Sequence, residues 1–178
     1  MALSATLRRF AIALCDADRG VYESLDLRVA QHPSESERYL VARVLARGLE
    51  HAEGVDFSRG LAADDEPALW QHDLRGDLRA WIEVGSPSVD RLHRASKTGA
   101  RVVVYAWRGA RKLTDEIAER GVHRADQIEI VELDPAFLDR VAERLERSNR
   151  WDLSITGGSV YLTIDGALLE SSLERIAG

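Results

Sequence analysis

The sequence predicts an α/β fold, an α+β mixed sheet flanked by helices, carried by one domain over residues 1–178. Three stretches predict it. Residues 64–85, DDEPALWQHDLRGDLRAWIEVG, read as a β-hairpin turning at Leu74-Arg75-Gly76-Asp77, with Arg75-Gly76 as its central pair. Residues 100–107, ARVVVYAW, are almost wholly apolar, as a central strand buried on both faces requires. Between them Ser86-Pro87-Ser88 caps a helix running through about Lys97. A strand, a helix and a strand in this order make a right-handed crossover, so the strand at 100–107 should lie parallel to the second hairpin strand.

The other elements follow in chain order. Ala5–Ala13 and Gly20–Ala30 read as an antiparallel pair of strands joined by the turn formers Asp16-Ala17-Asp18-Arg19. Gln31-His32-Pro33 breaks the second strand. Ser34 with Glu37 three residues on makes a capping box for a helix reaching about Ala52, with Leu40, Val44, Leu45 and Leu49 inward. Val55–Leu61 reads as a loop feeding the hairpin. A short helix at Lys112–Arg120, a strand at Gln127–Leu133 and a helix from Asp134-Pro135 to about Arg147 come next. Trp151–Thr156 and Ser159–Asp165 form a C-terminal hairpin around Gly157-Gly158. The tail, Ala167–Ile176, reads as a short closing helix or a fraying end.

Composition narrows the class. Hydrophobic residues make up 45% and charged residues 30%, an ordinary globular balance, and no apolar run reaches the length of a membrane span. A single cysteine, Cys15, excludes a disulfide framework and cysteine-based zinc sites within one chain. It reads as a small apolar filler, in a protein of a reducing cytoplasm. The formal net charge of −6 argues against strong non-specific nucleic-acid binding, which phosphate neutralisation usually drives. Nucleic acid stays a weakly supported partner, no membrane partner is expected, and a monomer is.

The hairpin also carries chemistry. With the turn placed as above, His72 meets Arg79, Trp70 meets Trp81, Ala68 meets Glu83 and Glu66 meets Gly85. Directly opposed residues share a face. Leu69, Leu78, Ala80, Ile82 and Val84 then form a core face, and Glu66, Trp70, Trp81 and Glu83 share the other. A second carboxylate, Asp65, stands at the strand entry. One acid on each of two paired strands is the arrangement of a metal-dependent nuclease core, written PD-(D/E)XK, in which the acids hold a divalent cation and a lysine assists the attacking water. Here the motif is broken: Ala68 follows Pro67, and Gly85 stands where the lysine belongs. The alternative is a surface hairpin with incidental acids. Arg59 could hold a phosphate or brace these carboxylates, or form a plain ion pair. Glu35, in the first turn of the first helix, either serves the helix dipole or leans towards the hairpin acids.

The pieces HPSE at 32–35, FSRGL at 57–61, DEPALW at 65–70, WIEVG-x-P at 81–87, RLHRASK at 91–97 and VVVY at 102–105 resemble the YaeQ family. The resemblance runs over nearly the whole chain. It implies a bacterial protein with a variant of the restriction-endonuclease-like PD-(D/E)XK core, to which the N-terminal and C-terminal hairpins are added. Carried over, it implies Glu66 (or Asp65) as the first-strand acid, Glu83 as the second, Glu35 as a first-helix acid and Lys97 as a displaced lysine. Glu66 and Glu83 would be the metal ligands, and hard oxygen donors favour Mg²⁺ or Mn²⁺. Two functions follow: a divalent-metal-dependent nuclease or phosphodiesterase with a degenerate site, or a non-catalytic binding or regulatory protein on a decayed nuclease scaffold.

Overall fold

The computed structural model describes residues 4–59 and 65–177. The chain divides into two compact units, Met1–Leu49 with Asp134–Leu173 and Glu50–Leu133 with Glu174–Gly178. Each is built on its own mixed sheet, and four α-helices are formed among the described residues.

The first unit begins with β1 (Thr6–Asp16) and β2 (Val21–Gln31), the expected antiparallel pair. The α1 helix (Glu37–Leu49) follows, three residues shorter than its expected end at Ala52. It is buried from Leu40 to Leu49, including Arg43 and Arg47. The chain re-enters this unit at α4 (Pro135–Ala142), capped by Asp134, whose carboxylate accepts from the backbone N–H groups of Ala136 and Phe137. This helix stops well before Arg147, because β8 (Ser148–Thr156) already begins there and lies parallel to β1. The hairpin of β8 with β9 (Ser159–Ile164) is the expected one. The N-terminal and C-terminal hairpins are thus joined edge to edge in one five-stranded sheet.

The tail corrects the expectation of a helix or frayed end. Asp165 and Gly166 both take positive φ, 48° and 77°, the pair that a type I′ turn demands, and they fold β10 (Ala167–Ser172) back onto β9. β11 (Glu174–Ala177) then joins the second unit, antiparallel to β7. Alanine, leucine and glutamate in the tail favour helix locally, but two waiting strand edges decide the outcome.

The second unit holds a six-stranded sheet in the order β11-β7-β6-β5-β4-β3. Val55–Phe57, read as loop, is the edge strand β3 paired with β4 (Leu69–His72); Gly60, Leu61 and Asp64 lie outside the described residues. β4 and β5 (Leu78–Val84) form the hairpin, with Trp70 facing Trp81 as expected. The register slips at His72, which meets Leu78 rather than Arg79. The cause is a wider turn. The Asp73 carboxylate accepts from the backbone N–H groups of Arg75 and Asp77 at 2.9 and 3.0 Å, so the aspartate side chain closes the loop from within. The intended core face holds: Leu69, Ala80, Ile82 and Val84 are buried, with Leu78 half-buried.

From β5 the chain enters α2 (Val89–Ser96), capped by the Ser88 hydroxyl, and returns as β6 (Arg101–Ala106), parallel to β5 as the crossover requires. The α3 helix (Ala110–Glu119), a 3-10 turn at Ala125–Gln127 and β7 (Ile128–Glu132) repeat the crossover. Val89, Leu92 and Ala95 of α2, Val102 and Val104 of β6 and Leu113 and Ile117 of α3 close one core, with Trp81 against its margin.

Candidate functional site

Glu83 stands on β5 facing Val104 of β6, one residue before the strand's end. Its neighbour two residues back, Trp81, shares its face, and the indole Nε1–H donates to Glu83 Oε1 at 2.7 Å. The crossover brings the first turn of α2 to the same end of the strand. Ser88 caps that turn by accepting from the Arg91 backbone N–H at 3.2 Å, and Arg91 Nε donates to Glu83 Oε1 at 2.5 Å. The Arg91 guanidinium lies 6.0 Å from the Trp81 ring centroid. A second arm of the same guanidinium, Nη2, donates to the main-chain carbonyl of Glu66. The Glu83 carboxylate is only 4% exposed. Burial pushes its pKa up, against the opposing pull of Arg91 and of the Trp81 hydrogen bond.

Glu66 presents its backbone to this cluster and its carboxylate elsewhere. Arg59 grips that carboxylate with Nε at 2.8 Å, with Nη2 at 2.6 Å and with its own backbone N–H at 3.0 Å. These bonds hold the Glu66 carboxyl below the usual range. Arg59 is thus an ion-pair partner of the hairpin acid. Ala68 is buried just ahead of Leu69, which pairs with Ile82, so no acid stands opposite Glu83. Asp65 is exposed.

Glu35 belongs to the other unit. There Arg43 pairs with it at 3.0 Å, and the Glu35 carboxylate also accepts from the His32 backbone N–H at 3.1 Å. Burial raises its pKa, with Arg43 opposing. Lys97 is the exposed C-cap of α2. It precedes β6, whose first residue, Arg101, pairs with Ala80, whereas Glu83 pairs with Val104. Three residues of strand at about 3.3 Å each separate those two levels. The side chain of α2 that the fold brings to Glu83 is Arg91. The resemblance pointed to Lys97 at the end of this helix, and the residue that reaches Glu83 is the arginine in its first turn. The signal was present in the topology: the start of a crossover helix lies at the end of the strand it leaves.

These donors do not fit a divalent cation as they stand. Mg²⁺ or Mn²⁺ asks for about six oxygen ligands without a competing cation. The Glu83 and Glu66 carboxylates each already face a guanidinium. Among the described residues no group of three or more His, Cys, Asp or Glu is placed to hold a metal ion.

The class defined by this fold is a mixed α/β protein with two mixed sheets and four helices among the described residues. It matches two crystal structures, those of the YaeQ proteins from Xanthomonas axonopodis pv. citri and Pseudomonas syringae. Both superpose with a TM-score of 0.89, at 31% and 33% identity, over 98% of this chain and 99% and 97% of theirs. The chain belongs to the YaeQ family, whose model matches residues 1–173 under the description YaeQ protein. It is 31% identical over 176 residues to the uncharacterized protein YaeQ of Escherichia coli (strain K12), covering 97% of this chain and 96% of that one. It is 27% identical to the Salmonella typhi counterpart over 92% and 91% of the two chains.

Proposed function

We propose that this chain is a non-catalytic binding or regulatory protein on a variant of the PD-(D/E)XK fold, in which Arg91 takes the place of the divalent cation. One observation carries the reading. A single guanidinium bridges the Glu83 carboxylate on one hairpin strand and the Glu66 carbonyl at the entry to the other. A nuclease core would hold its metal between those same two segments. A fixed internal cation neutralises the buried acid at all times, whereas a catalytic metal must be exchangeable and carry water. The broken motif at Ala68 and Gly85 supports the same reading. The family match across both units supports treating residues 1–178 as one functional domain.

A metal-dependent phosphodiesterase is the second reading. What favours it is the position of Glu83 at the C-terminal end of the parallel pair β5 and β6, where open α/β sheets collect ligands. In that reading Arg91 would have to release Glu83, and Glu66 would have to release Arg59. Mg²⁺ or Mn²⁺ would then bind Glu66 and Glu83, with Asp65 in a supporting role. Incubation of the protein with single- and double-stranded DNA and RNA in millimolar Mg²⁺ or Mn²⁺ separates the two. The binding reading expects no cleavage above a metal-free control. Cleavage abolished by Glu83→Gln would establish the nuclease instead.

A further inference from the structure

The five-stranded sheet ends in β2, and among the described residues no further strand pairs with its outer edge. This edge is 11 residues long and follows β1 without a register shift. A long regular edge is a template for another strand, and β2 has no proline, lysine or bulge to blunt it. Its one charge in the inward register, Glu23, lies close to its start.

The direction of the main-chain groups shows what the edge offers. The Arg9 N–H donates to the Arg147 carbonyl at 2.9 Å, and the Arg9 carbonyl accepts from Asn149 Nδ2 at 3.1 Å. Both groups of Arg9 therefore turn towards β8, and the even-numbered residues of β1 turn towards β2. Each of those faces an odd-numbered residue of β2, as Phe10 faces Leu27. The N–H and C=O groups of Tyr22, Ser24, Asp26 and Arg28 are thus left directed at the open edge. The Ala30 carbonyl points the same way and accepts from Arg43 Nη2 at 2.9 Å.

The side chains of this stretch complement themselves. Arg28 faces Arg9 directly across the strand pair, a like-charge juxtaposition that costs stability. Arg9 is held by Asp26, with Nε at 3.0 Å and Nη2 at 2.6 Å. The exposed Arg28 side chain forms no hydrogen bond or ion pair among the described residues. Pairing two β2 strands antiparallel about Leu27 sets Arg28 of each copy opposite Asp26 of the other, and Leu25 opposite Val29. Half-buried Leu27 meets its own copy on the axis. Asp26 and Arg28 then form hydrogen-bonded pairs through the main-chain groups that face the edge. Centring the strands on Asp26 or Arg28 would oppose like charges, and centring them on Ser24 or Leu25 would leave Arg28 with no acid opposite.

In place of the monomer expected from the sequence, we propose that this edge pairs with a second copy of the chain, β2 antiparallel to β2 about Leu27, with two reciprocal Asp26–Arg28 ion pairs. The edge belongs to the other unit from Arg91 and does not depend on the reading of Glu83.

Disulfide cross-linking of the full chain tests the register. Cys15 is exposed, in the outward register of Ala11 and Ala13, which corrects the expectation that it fills a core; Cys15→Ser removes it as a competing thiol. Across a non-hydrogen-bonded antiparallel pair the Cα atoms lie about 4.5 Å apart, within disulfide range. Leu27→Cys in that background should therefore oxidise to a covalent dimer. Ser24→Cys, also accessible, should not, because it faces Ala30 of the second copy and lies about 20 Å from its own counterpart. Sedimentation equilibrium without cross-linking should show the wild type approaching a dimer as its concentration rises. Asp26→Arg and Arg28→Asp, both at exposed positions, should each keep the wild-type fold by circular dichroism and raise the dissociation constant about tenfold or more. Combining the two reverses both ion pairs and should restore association. A wild type that stays monomeric, cross-linking at Ser24→Cys as readily as at Leu27→Cys, association that neither single variant weakens, or a double variant no better than the singles each overturns the proposal.

Discussion

At the residue scale the Glu83–Arg91 pair is where the energetics are steepest. A carboxylate that is 4% exposed has its charged form opposed by burial and supported by the guanidinium and indole N–H that face it. Removing one partner of a buried pair leaves the other uncompensated, at a cost of about 3–5 kcal/mol, whereas replacing both by apolar groups of similar volume is often neutral. Arg91→Ala should therefore lower the urea midpoint sharply, and Arg91→Met with Glu83→Leu should recover most of the loss. If the double variant were as unstable as the single one, the pair would matter through more than charge compensation. The pH dependence follows from the raised pKa of Glu83. The folded protein holds this proton to higher pH than the unfolded chain, so the group's contribution to stability is fully present below the ordinary carboxylate pKa. It is lost as pH rises through the raised value. The stability of Glu83→Gln minus that of wild type should therefore increase across that window. A difference that stays flat or falls would contradict the assignment.

At the element scale the start of α2 positions the site, and the β3–β4 edge supports it. Ser88 accepts from the backbone N–H of Arg91, so one hydroxyl both caps the helix and fixes the residue that reaches Glu83. Ser88→Ala should cost about 1 kcal/mol by loss of the cap. Beside the edge, Gly54 has φ +81°, and a Cβ there would fall 1.8 Å from the His72 carbonyl oxygen. Gly54→Ala should lower the melting temperature more than Ser88→Ala does, since backbone must move to admit it. The reverse order would show that this edge yields easily. Much of this scale was legible in sequence. The Trp70–Trp81 pairing, the Ser88 cap and the parallel return of β6 all follow from local turn chemistry and crossover handedness. The tail strands were not read, although Asp165-Gly166 carries a standard hairpin signal, because the residues after it favour helix. The pairing of β1 with β8 had no local signal, since its residues lie far apart in the chain.

At the scale of the whole molecule, the family and the mixed α/β class agree between sequence motifs and three-dimensional similarity, but the site is only partly readable. The acids on the hairpin were visible as a pattern. Which cation meets them was not, because that depends on how the first turn of α2 lands beside β5. No helix among the described residues is long and apolar enough to cross a membrane. The net charge of −6 bears on partners. Non-specific nucleic-acid affinity falls steeply with salt, so at about 0.15 M salt duplex DNA should migrate unchanged in the presence of this protein. A shift that persists there would reveal a basic surface strong enough to outweigh the overall charge.

The substitution of a guanidinium for a metal at Glu83 is tested most directly by calorimetric titration of Mn²⁺ into the intact protein at neutral pH, with Glu83→Gln as the reference. With Arg91 seated between Glu83 and the Glu66 carbonyl, no saturable heat is expected in either protein at millimolar Mn²⁺. Saturable binding to wild type that vanishes in Glu83→Gln would contradict it and place a cation where we place Arg91.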